Sequence, residues 1–143
     1  MSIVVFNGSV EITVLEAAEL QPSTKSKATA ALVGAESSAF RLDPYVNVHI
    51  DDSHVGRTTT KSKTSCPVWN EKFTTEVHSG KTVGFTVFHD CALPPDDFIA
   101  NCILPFDELQ EKDSWVPLEP RGKLKIRIEL HGTTSEVSQV KRT

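Results

Sequence analysis

Alternation of apolar and polar residues is the feature that most limits what this chain can fold into. It is clearest over residues 123–130. Because successive side chains of an extended strand point to opposite faces, this segment predicts a strand with one buried and one exposed face. Its apolar members are Leu124, Ile126, Ile128 and Leu130, and its charged members are Lys123, Lys125, Arg127 and Glu129.

Similar patterns, separated by turn residues, recur along the rest of the chain. The predicted strands cover residues 4–16, 44–51, 55–63, 71–77, 82–88, 98–104, 115–118 and 123–130. Residues 106–110 have the pattern of a single helical turn, and strands do not alternate with helices. These short strands, joined mostly by turns, predict an all-β fold, an eight-stranded antiparallel β-sandwich.

Size, composition and charge narrow the class of protein. The chain has 143 residues, 38% of them hydrophobic and 24% charged, which is typical of one globular domain. No apolar run approaches the ~20 residues of a transmembrane helix. The net charge of −4 provides no overall basic field for nucleic acid. Cys66, Cys91 and Cys102 have no paired spacing, so we expect free thiols in a reducing, cytoplasmic compartment.

Two segments interrupt the regular spacing of strands. Residues 21–41 are polar and rich in small side chains, and their length indicates a functional loop rather than a simple connection. Residues 133–143 are also polar and end close to a basic pair. We therefore expect a folded domain over residues 1–132 and a polar linker over residues 133–143, leading toward the rest of a longer protein.

Catalytic motifs are absent from the sequence. Residues 89–91, His-Asp-Cys, contain the residue types that a cysteine nucleophile would use. Neighbouring side chains of an extended segment point to opposite sides, however, so they do not form a catalytic chain. The sequence also lacks the G-x-S-x-G and H-E-x-x-H motifs and a phosphate-binding glycine loop. We expect a non-catalytic domain.

Aspartates are frequent in the connections that a sandwich would gather at one end. They are Asp43, Asp90, Asp96 and Asp97. Clustered carboxylates suggest calcium, which takes about six to eight oxygen ligands. The alternative is that aspartates beside prolines form turns and bond the local backbone. From the residues alone, both interpretations stay open.

Several motifs occur in an order that is typical of one family. They are Asp43-Pro44-Tyr45-Val46, Pro67-Val68-Trp69-Asn70-Glu71, Phe88-His89-Asp90, Asp97-Phe98-Ile99-Ala100-Asn101-Cys102 and Leu118-Glu119-Pro120-Arg121-Gly122. The chain resembles a C2 domain over residues 3–132, and more closely the N-terminal C2 domain of the novel protein kinases C, epsilon and eta. One predicted strand precedes the first motif, which implies the type II topology of that family.

The resemblance bears on the calcium hypothesis. Calcium-dependent members use about five aspartates, of which Asp43 and Asp97 match two. His89 and Cys91 stand at two of the remaining positions, and Asp90 falls between them. The resemblance therefore implies vestigial calcium positions, a domain that works without calcium, and no cofactor.

The resemblance further implies weak binding to anionic phospholipid and translocation to membranes. Arg57, Lys61 and Lys63 are expected to share one face of a strand, together with Thr59, as a basic stripe. The alternative is an edge strand that uses charge to avoid aggregation. The other candidate lipid contacts, all in loops or beside them, are Lys25, Lys27, Leu32, Val33, Arg41 and Leu93.

Two further expectations concern regulation and protein partners. Ser37 and Ser38 are candidate phosphorylation sites, where added negative charge would oppose binding to anionic lipid. Residues 16–23 and 89–96 match stretches that the family resemblance associates with anchoring. The alternative function is therefore protein binding, to an anchoring protein or to the kinase's own catalytic or diacylglycerol-binding domains, which the C2 domain would restrain.

Overall fold

The computed structural model describes residues 2–22 and 42–138. In this part of the chain the predicted all-β fold is confirmed, with eight strands and one short 3₁₀ turn. The strands are β1 (Ser2–Ala18), β2 (Pro44–Ile50), β3 (Ser53–Arg57), β4 (Val68–Gly80), β5 (Thr82–His89), β6 (Asp97–Pro105), β7 (Ser114–Pro117) and β8 (Lys123–Ser138). The 3₁₀ turn covers Phe106–Glu108, within the predicted helical turn.

The strands form two four-stranded antiparallel sheets. The first sheet has the order β4-β1-β8-β7, and the second has the order β3-β2-β5-β6. The last strand, β8, therefore lies inside the first sheet, between β1 and β7. One strand precedes β2, as predicted, and this order is the expected type II topology.

The core lies between the inner faces of the two sheets. Alternate residues of β1 and β8 point into it, as the sequence pattern predicted, and full burial of each such side chain stabilises the fold by about 1.5–3 kcal/mol. The fully buried members of these two strands include Phe6, Val10, Ile12, Val14, Leu124 and Ile128. Phe6 and Phe106 close one end of the core, with ring centroids 5.0 Å apart.

Strand β8 continues past the boundary that the sequence suggested at residue 132. Residues 133–138 pair with residues 2–7 of β1, so backbone hydrogen bonds hold a mostly polar segment whose side chains are exposed over residues 133–137. Gly8 faces Gly132 in this ladder, and a Cβ on Gly132 would lie 2.1 Å from the carbonyl oxygen of Asn7. The glycines therefore permit a close approach of the two strands. Residues 139–143 lie outside the described part of the chain.

The strand predicted over residues 55–63 is wrong in its second half, because β3 ends at Arg57. Thr58 is buried, and its hydroxyl accepts a hydrogen bond from the backbone N–H of Val46. Beyond it, the chain bonds to β2 at wider intervals, and Lys63 has a left-handed backbone with φ of 55°. Arg57, Lys61 and Lys63 therefore do not share one face of a strand, and the predicted basic stripe is not formed.

Candidate functional site

Four connections meet at the end of the sandwich where β1 stops. They are the β1–β2, β3–β4, β5–β6 and β7–β8 connections, which antiparallel pairing brings to one edge of the sheets. We call this edge the loop end, and the opposite edge the far end. Residues 23–41 of the first connection lie outside the described residues, and with them the predicted sites Lys25, Lys27, Leu32, Val33, Arg41, Ser37 and Ser38.

Asp43 joins three segments at the loop end. Its carboxylate oxygen Oδ1 accepts a hydrogen bond of 2.7 Å from the backbone N–H of Lys63, in the β3–β4 connection. Its carbonyl oxygen accepts a bond of 2.9 Å from the backbone N–H of Asp90. Its own N–H donates to Nδ1 of His89 over 3.0 Å, so this imidazole nitrogen acts as an acceptor. The predicted vestigial position thus holds the loops together.

Asp96 holds the β5–β6 connection closed. One of its carboxylate oxygens accepts a hydrogen bond from the hydroxyl of Tyr45, and the other accepts one from the backbone N–H of Cys91 at 3.0 Å. Burial, reinforced by the bond to Asp96, raises the pKa of Tyr45 to about 12. The same bond lowers the pKa of Asp96 below its ordinary value. The sequence carried no signal for this pair, whose members are far apart along the chain.

Arg57 is held by neighbours at the loop end. Its guanidinium lies 3.6 Å from the ring centroid of Tyr45, and its Nη2 atom lies 3.7 Å from a carboxylate oxygen of Asp90. Asp90 also accepts a hydrogen bond of 2.9 Å from the hydroxyl of Thr60. Arg57 therefore has protein partners for its charge, although about half of its side chain is exposed.

The remaining predicted lipid contacts lie on loops. Lys61 is half-buried and Lys63 is exposed, both in the β3–β4 connection. Leu93 is 84% exposed near the tip of the β5–β6 connection. Phe98, which the sequence analysis did not select as a contact, is 46% exposed at the start of β6. The loop end therefore exposes apolar and basic side chains together.

The described acceptors at the loop end already receive hydrogen bonds from the protein. Calcium takes about six to eight oxygen ligands. Here Asp43 already accepts a backbone N–H, and Nδ1 of His89 accepts another. Asp97 is buried and lies in register with His89. Within residues 2–22 and 42–138, the one group of three possible metal ligands within 4.8 Å is away from the loops, at Glu11, Glu129 and His131.

A basic and aromatic surface, which the sequence analysis missed as a site, adjoins the loop end. Trp115 of β7 is 41% exposed. The Nζ atom of Lys123 lies 4.7 Å from its ring centroid, and that of Lys125 lies 5.9 Å away. We call these three residues the tryptophan–lysine patch. The alternating pattern did predict both lysines as exposed, but the register of β7 against β8 is needed to place Trp115 beside them.

Two antiparallel four-stranded sheets, with four of their connections gathered at one end, define an antiparallel β-sandwich. The family model described as "C2 domain" matches residues 8–118. The chain therefore belongs to the C2 domain family, and the prediction of a non-catalytic domain is confirmed.

Several relatives of this chain are protein kinases C. The chain is 45% identical over 135 residues to "Protein kinase C-like 1B" of Caenorhabditis elegans, a match that covers 92% of this chain and 19% of that protein. It is 42% identical to "Protein kinase C epsilon type" of Rattus norvegicus, over 93% of this chain and 18% of that protein. For "Protein kinase C eta type" of the same organism, the values are 38%, 93% and 20%. The predicted resemblance is confirmed, and the chain spans about a fifth of these relatives.

The solved structures agree on the fold. A C2 domain of plant Extended Synaptotagmin 1 superposes with a TM-score of 0.67 at 21% identity. That superposition covers 91% of this chain and 98% of the other. Among the described residues, no helix is long and apolar enough to cross a membrane.

Proposed function

We propose that this C2 domain is a regulatory module that attaches a protein kinase C to anionic membranes without calcium. The proposal rests on the hydrogen-bond acceptors at the loop end, which are already bound by donors of the protein itself. Asp43, His89 and Asp96 each accept an N–H or O–H from the protein, while apolar and basic side chains are exposed beside them. In this proposal, the protein contacts replace calcium in organising the loops.

Electrostatic attraction would come from a local group of cations on an acidic protein. The net charge is −4, so the whole chain does not attract an anionic surface. Lys61 and Lys63 lie in the β3–β4 connection, and each basic residue near an anionic membrane contributes about 1 kcal/mol. Arg57 would contribute less, since Asp90 and Tyr45 already occupy its guanidinium. The expected affinity is low and sensitive to salt.

Insertion of Leu93 would add an apolar contribution. This side chain is 84% exposed in a connection that Asp96 holds closed, so it is presented on a braced loop. Transfer of a leucine out of water is worth about 1.5–3 kcal/mol when it is complete. Together with the cations, this would give reversible attachment, and in this proposal the protein is cytoplasmic and moves to membranes. In this proposal residues 139–143 connect to the rest of the kinase.

Vesicle co-sedimentation tests the proposal. The chain would be mixed with phosphatidylserine or phosphatidic acid vesicles at about 0.05 M and 0.15 M salt, with calcium or with chelator. We expect binding that is the same with and without calcium and that falls as salt rises. Binding that requires calcium would overturn the proposal. If Ser37 and Ser38 are phosphorylation sites that act on this step, their replacement by Glu should weaken the binding.

A protein partner is the second candidate function. Residues 92–95, Ala-Leu-Pro-Pro, form an exposed apolar tip in the β5–β6 connection, which an anchoring protein or another domain of the kinase could bind and so restrain. Apolar contacts of this kind depend little on salt, in contrast to electrostatic adhesion. Absence of vesicle binding, with salt-insensitive binding to the remainder of a protein kinase C, would favour this function.

A further inference from the structure

The tryptophan–lysine patch lies on the outer face of the first sheet, close to the loop end. Lys123 is in register with Ala18 and Pro117, the last residues of β1 and β7. Trp115 is two residues further from that edge, which corresponds to about 7 Å along a strand. A sandwich whose loops touch a membrane would therefore hold this patch just above or in the headgroup region.

The chemistry of the patch suits such a region. Tryptophan prefers the boundary between water and lipid, because its ring is apolar while its N–H remains polar. Lys123 and Lys125 extend long apolar stems beside the ring and end in ammonium groups, which can reach lipid phosphates. The neighbouring Arg127 differs, since Asp113 binds it through two hydrogen bonds of 2.6 and 3.0 Å.

Lys123 and Lys125, both half-buried, add positive charge to this face, which also carries Lys72, paired with Glu11. Glu16 lies opposite Lys125 in the β1–β8 register, and Arg127 is neutralised by Asp113. Lys123 pairs in register with Ala18 and Pro117, which have no charge to offset its ammonium. The exposed ring of Trp115 thus adjoins a cationic edge, which is complementary to an anionic surface.

We propose that the tryptophan–lysine patch is a second contact with anionic phospholipid, so that the domain lies tilted on the membrane, with the outer face of the first sheet turned toward it. This inference rests on the membrane attachment proposed above. It adds the orientation of the domain and three residues that no loop contains.

Tryptophan fluorescence tests the contact directly. The chain has two tryptophans, and Trp69 is buried with 6% exposure, so a Trp69→Phe variant leaves Trp115 as the sole reporter. This variant would be mixed with phosphatidylserine vesicles carrying bromine on the acyl chains close to the headgroups. We expect a blue shift and quenching of Trp115, with sedimentation of the same samples reporting total binding. Sedimentation without quenching would overturn the patch while the membrane function stands. If neither sedimentation nor quenching is observed, both the patch and the membrane function are overturned.

Reversal of the two lysine charges provides a second, independent test of the patch. Lys123→Glu combined with Lys125→Glu should weaken vesicle binding by about tenfold or more, since each cation near the surface contributes separately. The matched control is Lys81→Glu with Lys112→Glu, which makes the same change of net charge at exposed positions outside the patch, one at the far end and one in the β6–β7 connection. Equal weakening by both pairs would reduce the effect to net charge and overturn the patch. A Trp115 signal that responds to an acidic peptide such as polyglutamate but not to vesicles would also overturn it.

Discussion

The loop end and the far end of the sandwich both use carboxylates to bind backbone N–H groups, but they differ in what surrounds those bonds. At the far end, Asp51 is exposed and accepts from the N–H groups of Lys81 and Thr82, while the stacked and buried rings of Phe6 and Phe106 lie in the core at the same end. At the loop end, the bonds of Asp43 and Asp96 lie among partly exposed polar groups.

The two ends therefore have different roles. The far end contributes to the stability of the whole domain, and the contacts of the loop end can change more easily. Apolar burial at the far end is tied to the core, so its loss should affect unfolding of the whole domain. The hydrogen bonds of Asp43 and Asp96 lie outside the core, to which the loop-end connections contribute Leu20, Leu42 and Leu118. These hydrogen bonds can therefore change, or be released, with a smaller effect on global stability, and this is the end where we propose that binding occurs.

Removal of the far-end aromatic ring should have the largest effect. Phe106→Ala leaves a cavity beside Phe6, and such changes cost about 3–5 kcal/mol. Urea unfolding would measure the loss, with Phe106→Leu as a milder control that keeps most of the apolar volume. A loss below that of the leucine variant would show that the far end is not tied to the core.

A smaller effect is expected at the loop end. Tyr45→Phe removes the hydroxyl that donates to the ionised Asp96 and keeps the ring under Arg57. Hydrogen bonds to charged groups contribute about 1.5–3 kcal/mol, and partial exposure places this one toward the low end. Hydrogen exchange should accelerate at the N–H of Cys91, while β1 and β8 stay protected. Uniform acceleration across the domain would contradict the comparison.

The same variant should change the pH dependence of stability. The pKa of Asp96 is lower when folded, so its contribution is full above its ordinary value and is lost as pH falls through the lowered one. The pKa of Tyr45 is raised to about 12, so its contribution is lost between roughly pH 10 and 12, as the unfolded chain ionises first. Thermal midpoints across both ranges should be flatter in Tyr45→Phe. If the profiles of Tyr45→Phe and the unchanged protein are parallel, the Tyr45–Asp96 pair does not contribute to the pH dependence of stability.

The smallest effect on stability is expected for the exposed loop tip. Leu93→Ser should change the free energy of unfolding by no more than about 0.5 kcal/mol, because the side chain is 84% exposed. Vesicle binding, by contrast, should weaken severalfold. Ile103→Ser, at a 64% exposed position of β6 toward the far end, is the matched control and should leave vesicle binding unchanged. Equal loss by both would mean that binding does not distinguish the two ends.

The fold was predictable because half-buried strands alternate visibly in sequence. All eight strands were located, since residues such as Ile126 and Ile128 must face the core in any sandwich. The extension of β8 past residue 132 was missed, since residues 133–137 are exposed and backbone pairing with β1 leaves no apolar pattern. The prediction failed after Arg57, because threonines favour strands but Thr58 here bonds the edge of β2 through its hydroxyl.

The site was predictable only in part. The motif that begins at Asp43 marked the loop end, but its partners Lys63 and His89 are distant in sequence. Period two tells which face a residue occupies and not which residue it meets. The vestigial calcium positions, the lipid contacts and the serines in residues 23–41 stay predictions.

The first and last strands have a mechanical consequence. β1 begins and β8 finishes at the far end, and the 17 residues of β1 span about 50 Å of extended chain. A domain standing on its loops would thus act as a stiff spacer. Whatever follows Ser138 would start well above the lipid surface, and tilting the sandwich onto the tryptophan–lysine patch would lower that starting point. The height of the next segment above the bilayer then becomes a quantity that the angle of this domain controls.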